Sequence, residues 1–468
     1  MDVMLTYDRE AMDALGSTDI MKLVNKHMTD QVPDYDLAMN YYLGEHAILE
    51  KERDGDAPNA QPVCNHAKDI ADTASSYFLG NPITYKQKEG NEEAFNRLID
   101  ALDKATVDDD DQENALMLSI CGKTYEYIYA AEGLAELRNK PIDPRNAFLV
   151  YDQSIEHKIL FGVYYYQKTD DLSEETEPDT YLLVMTETEL KYYKIPAGEG
   201  DANIDPYQIE QHRLGQVPLI EYKNNKFAIG DFTQQIGLID AYNTMTADRI
   251  NDKEQFIDAI LVLYGAILSD DTNTDTAMDD LKAKKLLEMP EGSKAEYLVR
   301  QLDESGMEIL RDALKEDIYT FSHVPNLTDE NFAGNSSGVA MEYKLLGLEM
   351  LTKTKERWYR RGLRRRIEMF LYFLNLQGTQ LNEEDIEMIF SRALPKNLLE
   401  LSQIVNNLAD DVTLETRLSL LPFVEDPKAE AEALEEQKAE SVERQQELFS
   451  STNEEGAENT PLDEPEDE

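Results

Sequence analysis

Among the residues able to do chemistry, the segment Cys121-Gly122-Lys123-Thr124 stands out because it ends like a phosphate-binding loop. Such a loop cradles phosphates with backbone N–H groups and sets its Lys on the outer phosphate oxygens. Its first glycine belongs five residues before Gly122, where this chain has Met117. The segment also passes from a helical pattern into a strand pattern. That is the reverse of the order that brings a helix N-terminus to the phosphate. A chance match is the reading favoured over a nucleotide site. The six histidines, His27, His46, His66, His157, His212 and His323, are scattered, and none has metal-ligand spacing with another His or a Cys. There is no nucleophile elbow and no glycine-rich dinucleotide loop. The sequence therefore points to no catalytic residue, no metal and no cofactor.

A basic run is more informative. Lys344, Lys353, Lys355, Arg357, Arg360, Arg361, Arg364, Arg365 and Arg366 face only Glu349 and Glu356 over the same stretch. The whole chain carries a net charge of −50 from 95 acidic and 45 basic residues. Arg357, Arg360, Arg361, Arg364, Arg365 and Arg366 are the candidates for contact with another subunit or with nucleic acid phosphates. A helix face pairing with acidic neighbours satisfies the same pattern. The overall charge argues against a conventional DNA binder, yet it suits a protein that lets DNA pass without holding it.

These residues sit in a chain of helices flanking a strand-rich middle. Residues 304–323 have apolar positions at Met307, Leu310, Leu314, Ile318 and Phe321, one face of a 3.6-residue helix that Pro325 stops. A Gly/Asn/Ser loop follows from Thr328 to Gly338, longer than an ordinary interhelical turn and free of Lys and Arg. A long helix then runs from near Val339 to about Gln377, roughly 38 residues or about 57 Å. Upstream, residues 231–263 read as another long helix carrying Asp231, Asp240, Asp248, Asp252, Glu254 and Asp258. Residues 266–303 form a compact, strand-bearing insert between the two helices. Residues 1–120 read as helices, with Asp108–Asp111 at a helix N-terminus, where the macrodipole favours carboxylates. From Thr124 to Tyr222 the Tyr-, Val- and Ile-rich runs read as successive antiparallel strands.

At 468 residues, 41% of them hydrophobic, the chain can bury two or three cores. No apolar run is long enough to span a membrane. The N-terminus lacks the features of a signal peptide, so the chain is expected to be made and kept in cytoplasm. Cys64 and Cys121 are expected to be buried thiols. Residues 429–468 hold fifteen acidic and two basic residues, and the tail beyond Ser450 has almost no apolar content.

The order of parts resembles a tailed-bacteriophage portal protein, the head-to-tail connector, of the type found in phages and prophages of Gram-positive bacteria. The resemblance spans roughly 35–430. It is carried by NYYLGEHAIL (40–49), AKDIADTASSYFLGNPITY (67–85), VPLIEYKNNKFAIGDF (217–232), LIDAYNTMTADRINDKEQFIDAILVLYG (238–265), NFAGNSSGVAMEYKLLGLEML (331–351) and KERWYRRGLRRRI (355–367).

The resemblance implies a helix-rich α+β portal fold assembled as a ring of about twelve copies. The implied parts are a wing (1–230), a first stem helix (231–265), a clip (266–303) and a second stem helix (304–327). A tunnel loop (328–338), a long helix returning to the wing (339–391), a crown (392–440) and an acidic, disordered tail (441–468) complete them. It further implies a non-enzymatic channel at one capsid vertex, through which double-stranded viral DNA is packaged and ejected. Implied partners are the terminase large subunit, the major capsid and scaffolding proteins, and a head-completion adaptor, with no membrane. The protein is expected at the portal vertex of the virion after assembly in the host bacterial cytoplasm.

Asn331, Phe332, Ala333, Gly334, Asn335, Ser336 and Ser337 are then the DNA-facing loop residues. Asp240, Asp248, Asp252, Glu254 and Asp258 are the channel or stem candidates, the acids of 231–258 being expected to divide between lumen and subunit interface, where those in the lumen would centre a polyanion by repulsion. The competing readings are a capsid scaffold without a channel and, more remotely, a nucleotide hydrolase using Lys123 and Thr124.

Overall fold

The helices form where the 3.6-residue period and the caps place them. A computed structural model describes residues 4–53, 58–88, 91–131, 135–168, 178–200, 202–255, 260–264, 294–298, 304–327, 341, 343–392, 398–409, 411–421, 424 and 427–438. The chain divides into two units, Met1–Ala393 and Leu394–Glu468.

In the first unit, α1 (Ser17–Asp30) and α2 (Val32–Leu43) precede α3 (His66–Leu79), whose first turn is capped by the Asn65 side chain accepting from Lys68 N–H. Asn91 caps α4 (Glu92–Ala105) in the same manner, and α5 (Val107–Cys121) carries Asp108, Asp109 and Asp110 in its first turn. Gly122 ends α5 at φ 77°, and a Cβ there would collide with the Ala228 carbonyl. Only glycine fits this turn.

The strand-rich middle forms two sheets. One has six strands in the order β1 (Leu5–Thr6), β5 (Ala147–Tyr151), β6 (Ile159–Lys168), β7 (Asp179–Met185), β8 (Glu189–Ile195) and β9 (Gln208–Gln211). The other has three, β10 (Leu219–Lys223), β3 (Lys123–Ala130) and β4 (Leu137–Ile142). All pairings are antiparallel except β1 with β5. Alternation along β5 separates two cores. Phe148 and Val150 join Ile20 and Val24 of α1, whereas Ala147 and Leu149 join Leu219 of the smaller sheet. A third core lies among α3, α4, α5 and the long helix.

The outgoing helix, Ile236–Gln255, is 20 residues long, shorter than the span the sequence suggested. Ile260–Tyr264 is instead a strand, β11, paired antiparallel with β12 (Lys294–Leu298). The run Ile-Leu-Val-Leu-Tyr is apolar at every position, and strand pairing claims such a segment over a one-sided helix. The returning helix, Glu304–Ser322, runs back alongside the outgoing one. His66 fixes their register. Its ring meets Tyr242 of the outgoing helix edge-on at 4.8 Å and Tyr319 of the returning helix at 5.6 Å.

The long helix is described over Leu346–Leu376, 31 residues or about 46 Å. After it, β13 (Ile386–Ile389) returns to pair with β2 (Thr84–Gln87). The second unit holds the helices Leu398–Asn407 and Leu414–Leu418, the latter capped by Thr413, and a helical stretch at 427–438. The expected clip interior at 266–293 and the loop at 328–338 lie outside the described residues. So does the tail beyond 438. No described helix is long and apolar enough to cross a membrane.

Candidate functional site on the paired and long helices

The long helix buries Leu348, Thr352, Lys355, Tyr359, Gly362, Leu363, Arg366, Ile367 and Phe370, positions three and four apart on one face. Two cations therefore lie on its apolar stripe. Arg366 is fully buried. Its guanidinium meets Asp111 at 2.5 and 3.0 Å and Glu126 at 2.8 and 3.0 Å. The Tyr359 hydroxyl donates to Asp111 (2.5 Å), and the Tyr222 hydroxyl and Asn139 amide donate to Glu126 (2.6 and 2.8 Å). Burial opposes the charged guanidinium, but Asp111 and Glu126 outweigh it and raise its pKa well above the usual value. Three turns earlier, the Lys355 ammonium pairs with buried Asp231 and donates to Ser119 Oγ at 2.8 Å. Asn224 donates to the same Asp231 carboxylate at 2.9 Å.

The other basic residues fall into two groups. Arg365 donates to the Val217 and Leu219 carbonyls (3.1 and 3.4 Å), and burial lowers its pKa. Arg360 pairs with Glu356 at 2.7 Å, donates to the Met388 carbonyl and stacks over Phe390. By contrast Lys353, Arg357, Arg361 and Arg364 are exposed. Arg361 lies 4.1 Å over the Trp358 ring, Arg364 is 3.7 Å from Glu383, and Arg357 has no ion-pair partner among the described residues. Arg365 and Arg366 thus leave the set of candidates for phosphate or subunit contact. Their charges are taken up inside the chain that carries them.

The acids of the outgoing helix divide similarly. Asp231 precedes the helix and is the buried partner of Lys355. Asp240 accepts from the Tyr41 hydroxyl at 2.7 Å, which, after burial, raises the tyrosine pKa to about 12. Asp248 pairs with Arg53 at 2.6 Å and Lys51 at 3.5 Å. Asp252 and Glu254 have no ion-pair partner among the described residues, and Asp258 lies outside them. On the returning helix Ile318 is buried, while Leu310 and Phe321 of the same predicted face are exposed.

The phosphate-loop likeness dissolves on inspection of its atoms. Lys123 is buried on β3 and pairs with Glu221 at 3.1 Å, and the Thr124 hydroxyl donates to Asn114 at 3.2 Å. Lys123 lines a cavity of about 10 Å³, too small for a phosphate, and Thr124 is buried. Among the described residues no cluster of His, Cys, Asp and Glu could hold a metal. Cys64 and Cys121 are free thiols, the first half-buried and the second buried. Burial pushes both thiols above their ordinary pKa.

The described residues thus join a helix-and-sheet unit to a pair of packed helices and a long helix that follows them in sequence. Residues 21–444 match the phage portal protein family of the SPP1 Gp6-like type, and the chain belongs to that family, a structural one whose members serve as head-to-tail connectors. It is similar to the portal protein of Bacillus phage SPP1, 24% identical over 465 residues, covering 92% of this chain and 88% of that protein. The portal protein of Clostridium phage phiCD119 is 24% identical over 426 residues, covering 86% of this chain and 92% of that one. Among solved structures, a chain from the neck of an empty GTA particle, computed with C6 symmetry, aligns with a TM-score of 0.46 and 10% identity. That alignment covers 76% of this chain and 89% of the other.

Proposed function

We propose that copies of this chain stand side by side in a closed ring of about twelve, at one vertex of a viral head, and that double-stranded DNA passes through the centre during packaging and ejection. The observation that carries the reading is the antiparallel pair of outgoing and returning helices, whose second member leaves Leu310 and Phe321 exposed among the described residues. In this reading the pair is the stem. Residues 266–303 are the clip, which docks the terminase large subunit and later a head-completion adaptor. The α/β unit is the wing. Residues 328–338 form the tunnel loop that narrows the channel, with 331–337 facing the DNA, and residues 392–440 form a crown.

Asp252 and Glu254, together with Asp258, are the acids left to face the lumen, because Asp240 and Asp248 already have partners. Repulsion from such acids removes deep binding minima along a phosphate backbone, so DNA slides with little friction. No catalytic step is assigned. The ring is assembled in the host cytoplasm and meets the major capsid and scaffolding proteins there.

Negative-stain images of the purified protein test this directly. Rings with a central hole are the expected result, and filaments, closed shells or monomers alone would sink the channel reading. Bulky replacements of Asn335 and Ser336 should spare the ring while lowering DNA packaging. Unchanged packaging would reduce the loop to a connector.

A further inference from the structure

The long helix has a second face that is largely exposed among the described residues, with Arg364 near Glu383 at 3.7 Å. Apolar side chains are exposed at its N-terminal end, Leu346 and Met350 by 53% and 65%, with Tyr343 just ahead of the helix exposed by 76%. Lys353, Arg357, Arg361 and Arg364 continue the same stripe at steps of three and four. The cations thus extend over about 17 Å of helix. DNA phosphates would engage the cationic part but gain nothing from three large apolar side chains beside it. A protein surface that is apolar at one end and acidic at the other would engage both.

The chain itself carries such a surface. The returning helix exposes Ile309 and Leu310 by 71% and 53%, and seven residues on from each, on nearly the same line of the helix, stand Glu316 and Asp317, exposed and without ion-pair partners among the described residues. We infer that the exposed stripe of the long helix docks on the exposed face of the returning helix of a second copy. The contact is head-to-tail, so each copy offers one face and receives the other. Opposite charge fixes the register of the pairing, and the apolar ends supply the buried area. The inference rests on the ring proposed above and adds which two faces meet.

The test is a charge swap read by mass photometry and negative-stain imaging. Reversing the cations (Arg357→Glu with Arg361→Glu) should raise the protein concentration needed for half-assembly about tenfold or more. Reversing the acids alone (Glu316→Arg with Asp317→Arg) should do the same. Combining all four should restore rings, and circular dichroism of each variant checks that the subunits stay folded. Rings insensitive to either reversal would overturn the inference while leaving the ring intact. So would a swap that fails to restore assembly between folded subunits. Intact rings that lose only salt-sensitive DNA retention on cation reversal would overturn it in favour of a phosphate-binding stripe. A wild-type protein that never forms rings would overturn the ring itself, and with it this contact.

Discussion

Arg366 on the long helix and Asp111 on α5 meet as a bidentate pair at 2.5 and 3.0 Å, both buried, although 255 residues separate them in sequence. Removing one partner of such a pair leaves an uncompensated charge in the interior, which costs about 3–5 kcal/mol. Arg366→Met should therefore lower the unfolding free energy by that order in a denaturant titration. The triple variant Arg366→Met, Asp111→Leu, Glu126→Leu should recover part of the loss, because no charge is left stranded. If the single and triple variants were equally destabilised, the loss would have to come from packing.

A second expectation concerns Gly362. It lies on the buried face of the long helix, and a Cβ there would collide with the Tyr222 ring. That ring cannot retreat easily. It stacks on Tyr359 at 4.4 Å and is tied to Glu126 through its hydroxyl. In an open helix Gly→Ala stabilises by about 1 kcal/mol. Here overpacking should reverse the sign, with a net loss of roughly 1–3 kcal/mol in thermal or denaturant unfolding.

Lys123 offers a test that separates structure from nucleotide chemistry. Lys123→Met should lower the melting temperature, since it removes a cation 3.1 Å from Glu221 in the sheet interior. Partial compensation by Lys223 and by the Tyr151 hydroxyl should limit the effect to about 2 kcal/mol. ATP and magnesium should leave the melting temperature of the wild-type protein unchanged. A nucleotide-dependent shift abolished by the substitution would reinstate the phosphate-loop reading.

Acid sensitivity should trace largely to His27. Burial, aided by the Lys123 charge, lowers its pKa from 6.5 to about 4, and its Nδ1 sits 2.9 Å from the Tyr165 hydroxyl. Between those two pKa values the unfolded chain holds more protons than the folded one. Stability from this residue is complete above pH 6.5 and falls as pH drops toward 4, by about 3 kcal/mol in all. Burial pushes His66 and His212 in the same direction. Asp110 opposes them: burial and Glu126 raise its pKa to about 6, so protonation below that value favours the fold. His27→Gln should flatten the decline between pH 6.5 and 4 in a series of urea titrations. An unaltered slope would assign the acid sensitivity elsewhere.

Most of the helices and the longer strands were legible because burial imposes a period on their residues. Several strands were not, β1, β4 and β9 among them, and β11 read as helix. In β4 the inward positions 139 and 141 hold Asn139 and Pro141 rather than apolar strand formers, and Asn139 is accommodated there because Glu126 lies opposite. In β9 every residue is exposed, so no apolar signal marks it. The basic run shows a deeper limit. Composition counts nine cations but does not say how deep each lies. A signal was nevertheless present. Lys355 and Arg366 are eleven residues apart, three turns of helix, and both fall in phase with Leu348, Tyr359 and Phe370. What the sequence could not supply was the identity of Asp111, Glu126 and Asp231 as their partners, since tertiary contact alone brings those acids to the helix.

The two buried ion pairs on the long helix also have a mechanical meaning. Lys355 grips the segment that leads into the outgoing helix, and Arg366 grips α5 and β3 about 17 Å further along. A rod pinned once can pivot, whereas a rod pinned twice transmits torque. A push on the N-terminal end of this helix is therefore delivered to the sheet layer as shear through two charged anchors rather than dissipated as local bending.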